Sequence, residues 1–96
     1  MTKIGDIIRL KRIEMGVSQK HLASQLGVDV SYLCKVEKNE KSITLGKLLQ
    51  ISKLLEVDCV ELKNVYYANK FFELLNSETN EFIKSFLHDA LSKLNK

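Results

Sequence analysis

Apolar residues recur every three or four positions along most of the chain, the spacing of helices that bury one face. The first run covers Ile4–Met15, with Ile4, Ile7, Ile8 and Met15 on one face and Gly16 as a left-handed stop. Ser18 is a good N-cap for a second helix over Gln19–Leu26, which turns Leu22, Ala23 and Leu26 inward and ends at Gly27. Asp29 opens a third helix over Val30–Lys38, with Leu33 and Val36 inward. A polar loop follows from Lys38 to Ser42, in which Asn39 is the non-glycine residue type that best tolerates a positive φ. Thr44 caps a fourth helix over Leu45–Leu55, with Leu45, Leu48, Ile51 and Leu55 at core spacing. Asp58 and Glu61 have the spacing of a capping box and predict a short fifth helix. No stretch alternates apolar and polar residues long enough to predict a strand.

The last third is also helical and strongly amphipathic. Over Val65–Asn76, Val65, Ala68, Phe71, Phe72, Leu74 and Leu75 oppose Asn69, Lys70, Glu73 and Asn76. Ser77 or Thr79 caps a final helix to about Leu94, where Phe82, Ile83, Phe86, Leu87, Ala90, Leu91 and Leu94 fall within one half-turn of the wheel. That is more apolar surface than a five-helix domain needs. It predicts a symmetric homodimer joined through Phe71, Phe72, Phe82, Ile83, Phe86, Leu87 and Leu91. The alternative is an extension folded back in cis, with Leu10 and Ile13, opposite the core face of the first helix, as its docking positions. The expected class is all-α, with a five-helix domain over residues 1–63 and a helical extension over 64–96.

Composition narrows this picture. With 96 residues and 45% hydrophobic content, the chain can close one helical core. No apolar run approaches the ~20 residues of a membrane span, and no secretory segment opens the chain. An intracellular, cytoplasmic protein with reduced thiols is expected, and Cys34 and Cys59 lack metal-ligand spacing. His21 and His88 stand far apart, and no nucleophile motif surrounds any serine. Neither an enzyme, nor a metal or cofactor, nor a small-molecule ligand is expected. Charge is asymmetric: residues 1–53 carry ten basic and five acidic side chains, a net +5, while residues 54–96 carry five and seven, a net −2. A basic front suggests a polyanionic partner.

The stretch that joins these observations is Ser18-Gln19-x-x-Leu22-Ala23-x-x-Leu26-Gly27-Val28-Asp29-x-Ser31-x-Leu33-x-Lys35-Val36-Glu37. Small Ala23 permits a close helix crossing, and Gly27 turns the chain with positive φ. Val28, Leu33 and Val36 lock the second of the two helices across the first, leaving its outward positions free. A major groove is wide enough to admit one such helix.

From Ile4 to Leu62 the chain resembles the Cro/CI-type helix-turn-helix family of phage repressors and bacterial regulators, also called the xenobiotic-response-element family. The likeness rests on Ile4-Gly5, Ile8-Arg9, Arg12, Gly16, Ser18-Gln19, Leu22-Ala23, Leu26-Gly27-Val28, Ser31-Tyr32, Lys35-Val36-Glu37, Leu48, Ile51, Leu55, Val57 and Leu62. The resemblance implies a double-stranded DNA partner, read at base edges by Val30, Ser31 and Lys35. It places Gln19, Tyr32, Lys38, Asn39 and Lys41 at the DNA backbone. Arg12 has two roles open to it, a phosphate contact or an ion pair with Glu37. The sequence departs from the family at Lys11, where leucine is common, at Ile43, where proline is common, at Asn39, where glycine is common, and at Gly46, which weakens the fourth helix. The implied function is a homodimeric transcription regulator on a pseudo-palindrome, acting on its own gene as a phage-type repressor or a restriction–modification controller. The alternative is a protein-interaction module that antagonises another regulator through its C-terminal helices.

Overall fold

The computed structural model describes residues 2–76 and 80–94, apart from the side chains of Asn80, Phe82 and Ile83. The expected cap at Ser77 or Thr79, and the side-chain roles expected of Phe82 and Ile83, lie outside the described residues. All regular structure among the described residues is helical: α1 (Ile4–Glu14), α2 (Gln19–Leu26), α3 (Val30–Glu37), α4 (Leu45–Leu54), α5 (Cys59–Leu75) and α6 (Asn80–Leu94). Two compact units divide between Tyr66 and Tyr67.

Two expectations are corrected. The short fifth helix and the helix over Val65–Asn76 are one continuous element, the 17-residue α5. No glycine or proline interrupts residues 59–75, and Leu62, Val65 and Tyr66 keep helical spacing, so nothing local stops the helix. Met15 is not in the core; it is the C-cap of α1 and is exposed.

In the first unit, a core forms from Ile4 and Ile8 of α1, Leu22, Ala23 and Leu26 of α2, Leu33 and Val36 of α3, Leu48 and Ile51 of α4, and Leu62 of α5. Ile43, Leu55 and Val57 complete it from the connecting segments. Ser18 Oγ accepts from His21 N at 3.0 Å, and Thr44 Oγ1 from Lys47 N at 3.3 Å, so α2 and α4 begin with side-chain caps. Asp58 Oδ1 accepts from Val60 N at 2.8 Å at the start of α5.

The first four helices share one way of stopping. Each ends in a left-handed residue whose successor donates back to the carbonyl five positions earlier: Val17 to Arg12, Val28 to Ala23, Glu40 to Lys35 and Val57 to Ser52. The left-handed residues are Gly16 (φ 69), Gly27 (φ 70), Asn39 (φ 63) and Glu56 (φ 55). Only Gly takes this conformation without steric cost, which runs to about 1 kcal/mol or more for a residue with a Cβ. Glu56 is exposed. Glu56→Gly is therefore expected to stabilise the domain by about 0.5 kcal/mol, the relief of strain outweighing the greater chain entropy of glycine when unfolded. Urea denaturation checks this; an unchanged or lower midpoint would show that the turn is not strained.

The second unit presents an apolar surface. Phe71, Phe72, Leu74, Phe86, Leu91 and Leu94 are exposed, and Leu87 is half-buried. No described helix is long and apolar enough to cross a membrane.

Candidate nucleic-acid interface

Helix α3 has two faces with separate tasks. Leu33, Val36 and Glu37 are buried, while Val30, Ser31, Lys35 and the C-cap Lys38 are exposed. On a helical wheel Ser31, Lys35 and Lys38 lie opposite the buried set, with Val30 on the flank beside half-buried Cys34.

What fixes the helix from within is charged. Glu37 is 3% exposed, and its carboxylate accepts from Arg12 Nε at 2.8 Å and from Arg12 Nη2 at 3.0 Å. This two-pronged pair suits the planar guanidinium. Gln19 Nε2 donates to the same carboxylate at 2.9 Å, and Arg12 Nη1 donates to Val17 O at 2.9 Å. One carboxylate on α3 thus holds α1 and α2, and Arg12 holds the turn between them. Of the two roles open to Arg12, the structure shows the ion pair. Gln19 turns its amide toward Glu37, while its backbone N–H stays at the first turn of α2, where helix amides are available to an anion.

The loop after α3 is tied down as well. Tyr32 Oη donates to Ser42 O at 3.0 Å. Asn39 is engaged by α1: Gly5 N donates to its Oδ1 at 2.9 Å, and its Nδ2 donates to Asp6 Oδ1 at 3.0 Å. Lys47 Nζ donates to Leu26 O at 2.7 Å, binding α4 to the end of α2 and satisfying a terminal carbonyl. Gly27, Val28, Asp29, Tyr32, Thr44 and Lys47 line a shallow open groove at this junction.

Lys20, Lys35, Lys38 and Lys41 are exposed, and none is in an ion pair among the described residues; Lys11, by contrast, pairs with Glu14 at 3.3 Å. The structure therefore brings Val30, Ser31, Lys35, Lys38 and Lys41 to the exposed side of α3 and its following loop. It commits the side chains of Arg12, Gln19 and Asn39 to the frame. Parts of that frame are not legible in the sequence, among them the bonds of Asn39 to Gly5 and Asp6, of Gln19 to Glu37 and of Lys47 to Leu26, because no local signal pairs these residues. No group of His, Cys, Asp and Glu side chains fit to hold a metal occurs among the described residues.

Residues 8–62 match the family profile described as helix-turn-helix. The HTH-type transcriptional regulator SinR of Bacillus licheniformis is 30% identical over 91 residues, covering 94% of this chain and 82% of that protein. SinR of Bacillus subtilis is 29% identical over the same length and the same shares. The HTH-type transcriptional regulator RamB of Mycobacterium tuberculosis is 37% identical over 57 residues, 59% of this chain but 12% of RamB. No solved structure matches the chain.

Proposed function

The chain belongs to the Cro/CI-type helix-turn-helix family, and on that premise we propose that it is a sequence-specific transcription regulator of double-stranded DNA, acting as a homodimer. The observation that carries this reading is the division of α3: an inward face locked by Glu37, and an outward face whose lysines have no ion-pair partner among the described residues. Val30, Ser31 and Lys35 read base edges in the major groove. Lysine donates to guanine O6 and N7, serine serves several bases, and valine meets a thymine methyl. Lys38, Lys41 and the backbone amide of Gln19 hold the phosphates, while the Tyr32 hydroxyl stays on Ser42 O and steadies the loop that carries Lys41. The exposed apolar residues Phe71, Phe72, Phe86 and Leu91 support a dimer through the C-terminal helices. Two such copies set two reading helices about one helical turn apart, ~34 Å, on a pseudo-palindrome. On this reading the protein regulates its own gene, inside the cell.

A gel shift on the upstream region of its gene tests the reading, and the absence of a salt-sensitive complex at micromolar protein would sink it. Two substitutions separate the contact types. Lys35→Ala is expected to lose discrimination at one base position, by about 1–3 kcal/mol. Lys38→Ala is expected to weaken all sequences alike and lower the salt slope by about one contact. Equal effects of both on operator and random DNA would show that another face does the reading.

A further inference from the structure

We propose that Asp6 and Asn39 are a positioning pair for phosphate contact: Asn39 clamps the start of α1 onto the end of α3 and so fixes the loop that carries Lys38 and Lys41. This rests on the DNA-binding reading above. The N-cap residue of α1, Lys3, makes no side-chain cap bond. The cap comes instead from Asn39, whose Oδ1 accepts at 2.9 Å from the N–H of Gly5, 34 positions earlier. The other half of the same amide, Nδ2, donates to Asp6 Oδ1 at 3.0 Å. The backbone N–H of Asn39 is also in use, donating to Val36 O at 3.0 Å in the turn that ends α3.

The chemistry of the residue follows from its neighbours. It faces a backbone donor on one side and a carboxylate acceptor on the other. A short side-chain amide offers an acceptor to the first and a donor to the second while remaining neutral. It must also hold φ 63, which asparagine tolerates better than most residues with a Cβ. With its amide held by α1, Asn39 acts on DNA through the lysines on either side of it. Lys38 caps α3, and Lys41 follows two residues after Asn39, its N–H directed at Lys35 O. Freeing the amide leaves the turn formed but releases its anchorage to α1.

The test uses the full chain and operator DNA, at a temperature where circular dichroism shows every variant folded. Asn39→Gly keeps the left-handed turn and removes the clamp. Its affinity is expected to fall about five- to tenfold at low salt, and the slope of log K against log salt to drop by ~1, the value of one lost phosphate contact. Loss of folded protein alone would lower affinity and leave that slope unchanged, which would overturn the proposal. Asn39→Asp sets two carboxylates face to face and is expected to bind at least as poorly. Adding Asp6→Asn restores the pair with its polarity reversed, the amide now donating to the carboxylate at position 39. The double variant is expected to return to within about twofold of the parent, since its net charge is unchanged and its phosphate contacts are restored. If Asn39 touched phosphate itself, that carboxylate would repel the DNA in the double variant as in the single one, and the absence of rescue would refute a positioning role. A thermal cycle of the parent, Asn39→Asp, Asp6→Asn and the double variant without DNA separates the two claims. Coupling between positions 6 and 39 shows the clamp even if the parent binds no DNA, and additive melting temperatures remove it.

Discussion

Arg12→Leu is expected to destabilise the first unit by about 3–5 kcal/mol, because it strands a buried carboxylate. The Glu37 side chain is 1% exposed, and two of the three bonds it accepts come from Arg12. A domain of this size has only about 5–15 kcal/mol in hand. The variant should therefore unfold at a much lower urea concentration and populate unfolded chain near 37 °C. The reverse deletion, Glu37→Leu, should cost less, since Arg12 is 13% exposed and can turn toward water. The informative protein is the double variant. Replacing both partners with apolar residues removes the desolvation penalty together with the attraction, and such replacements are often close to neutral. Recovery of most of the lost stability in Arg12→Leu/Glu37→Leu is expected. A double variant as unstable as Arg12→Leu alone would show that shape, not charge, makes this site.

The second large effect concerns a residue with no side chain. Gly5→Ala is expected to cost about 3 kcal/mol, toward the upper end for overpacking a tight site. Gly5 is buried, and a Cβ there would be driven into Val36 O of the α3 backbone, while lying 2.5 Å from Asn39 Oδ1 and 2.9 Å from Asn39 Cγ. A backbone carbonyl cannot swing aside, so α1 must lift from α3. Alanine would otherwise favour a helix by about 1 kcal/mol over glycine, so the sign of the result is decisive. A stabilised Gly5→Ala protein would show that α1 does not approach α3 this closely. Gly5→Ala combined with Asn39→Gly should regain little, because the carbonyl remains.

The parts of the fold written in local signals were legible. Ser18 and Thr44 cap the helices they precede, Gly16 and Gly27 turn where expected, and the apolar spacing selects Ile8, Leu22, Leu33, Leu48 and Ile51 for the core. The parts set by distant partners were not. Asn39 resembles a loop residue free to meet phosphate until Gly5 and Asp6 are brought against it from 34 and 33 positions away. Gln19 resembles a phosphate ligand until its amide is seen on Glu37. The continuity of α5 is a local signal that the expectation of a separate short helix overlooks: Asp58 announces a start, and no glycine or proline announces an end before Asn76. The outward residues of α3 are where local and distant information agree: residues not needed for packing are left at the surface.

That agreement has an evolutionary consequence. Leu33, Val36 and Glu37 belong to the frame, whereas Val30, Ser31 and Lys35 are exposed and do not, so on the proposed reading the two groups can change independently. On the proposed reading, a duplicated gene needs only a few changes at the outward positions for its product to stop competing for the parent's sites. Both copies would keep every structural residue, and the cell would gain a second, insulated circuit from the same scaffold.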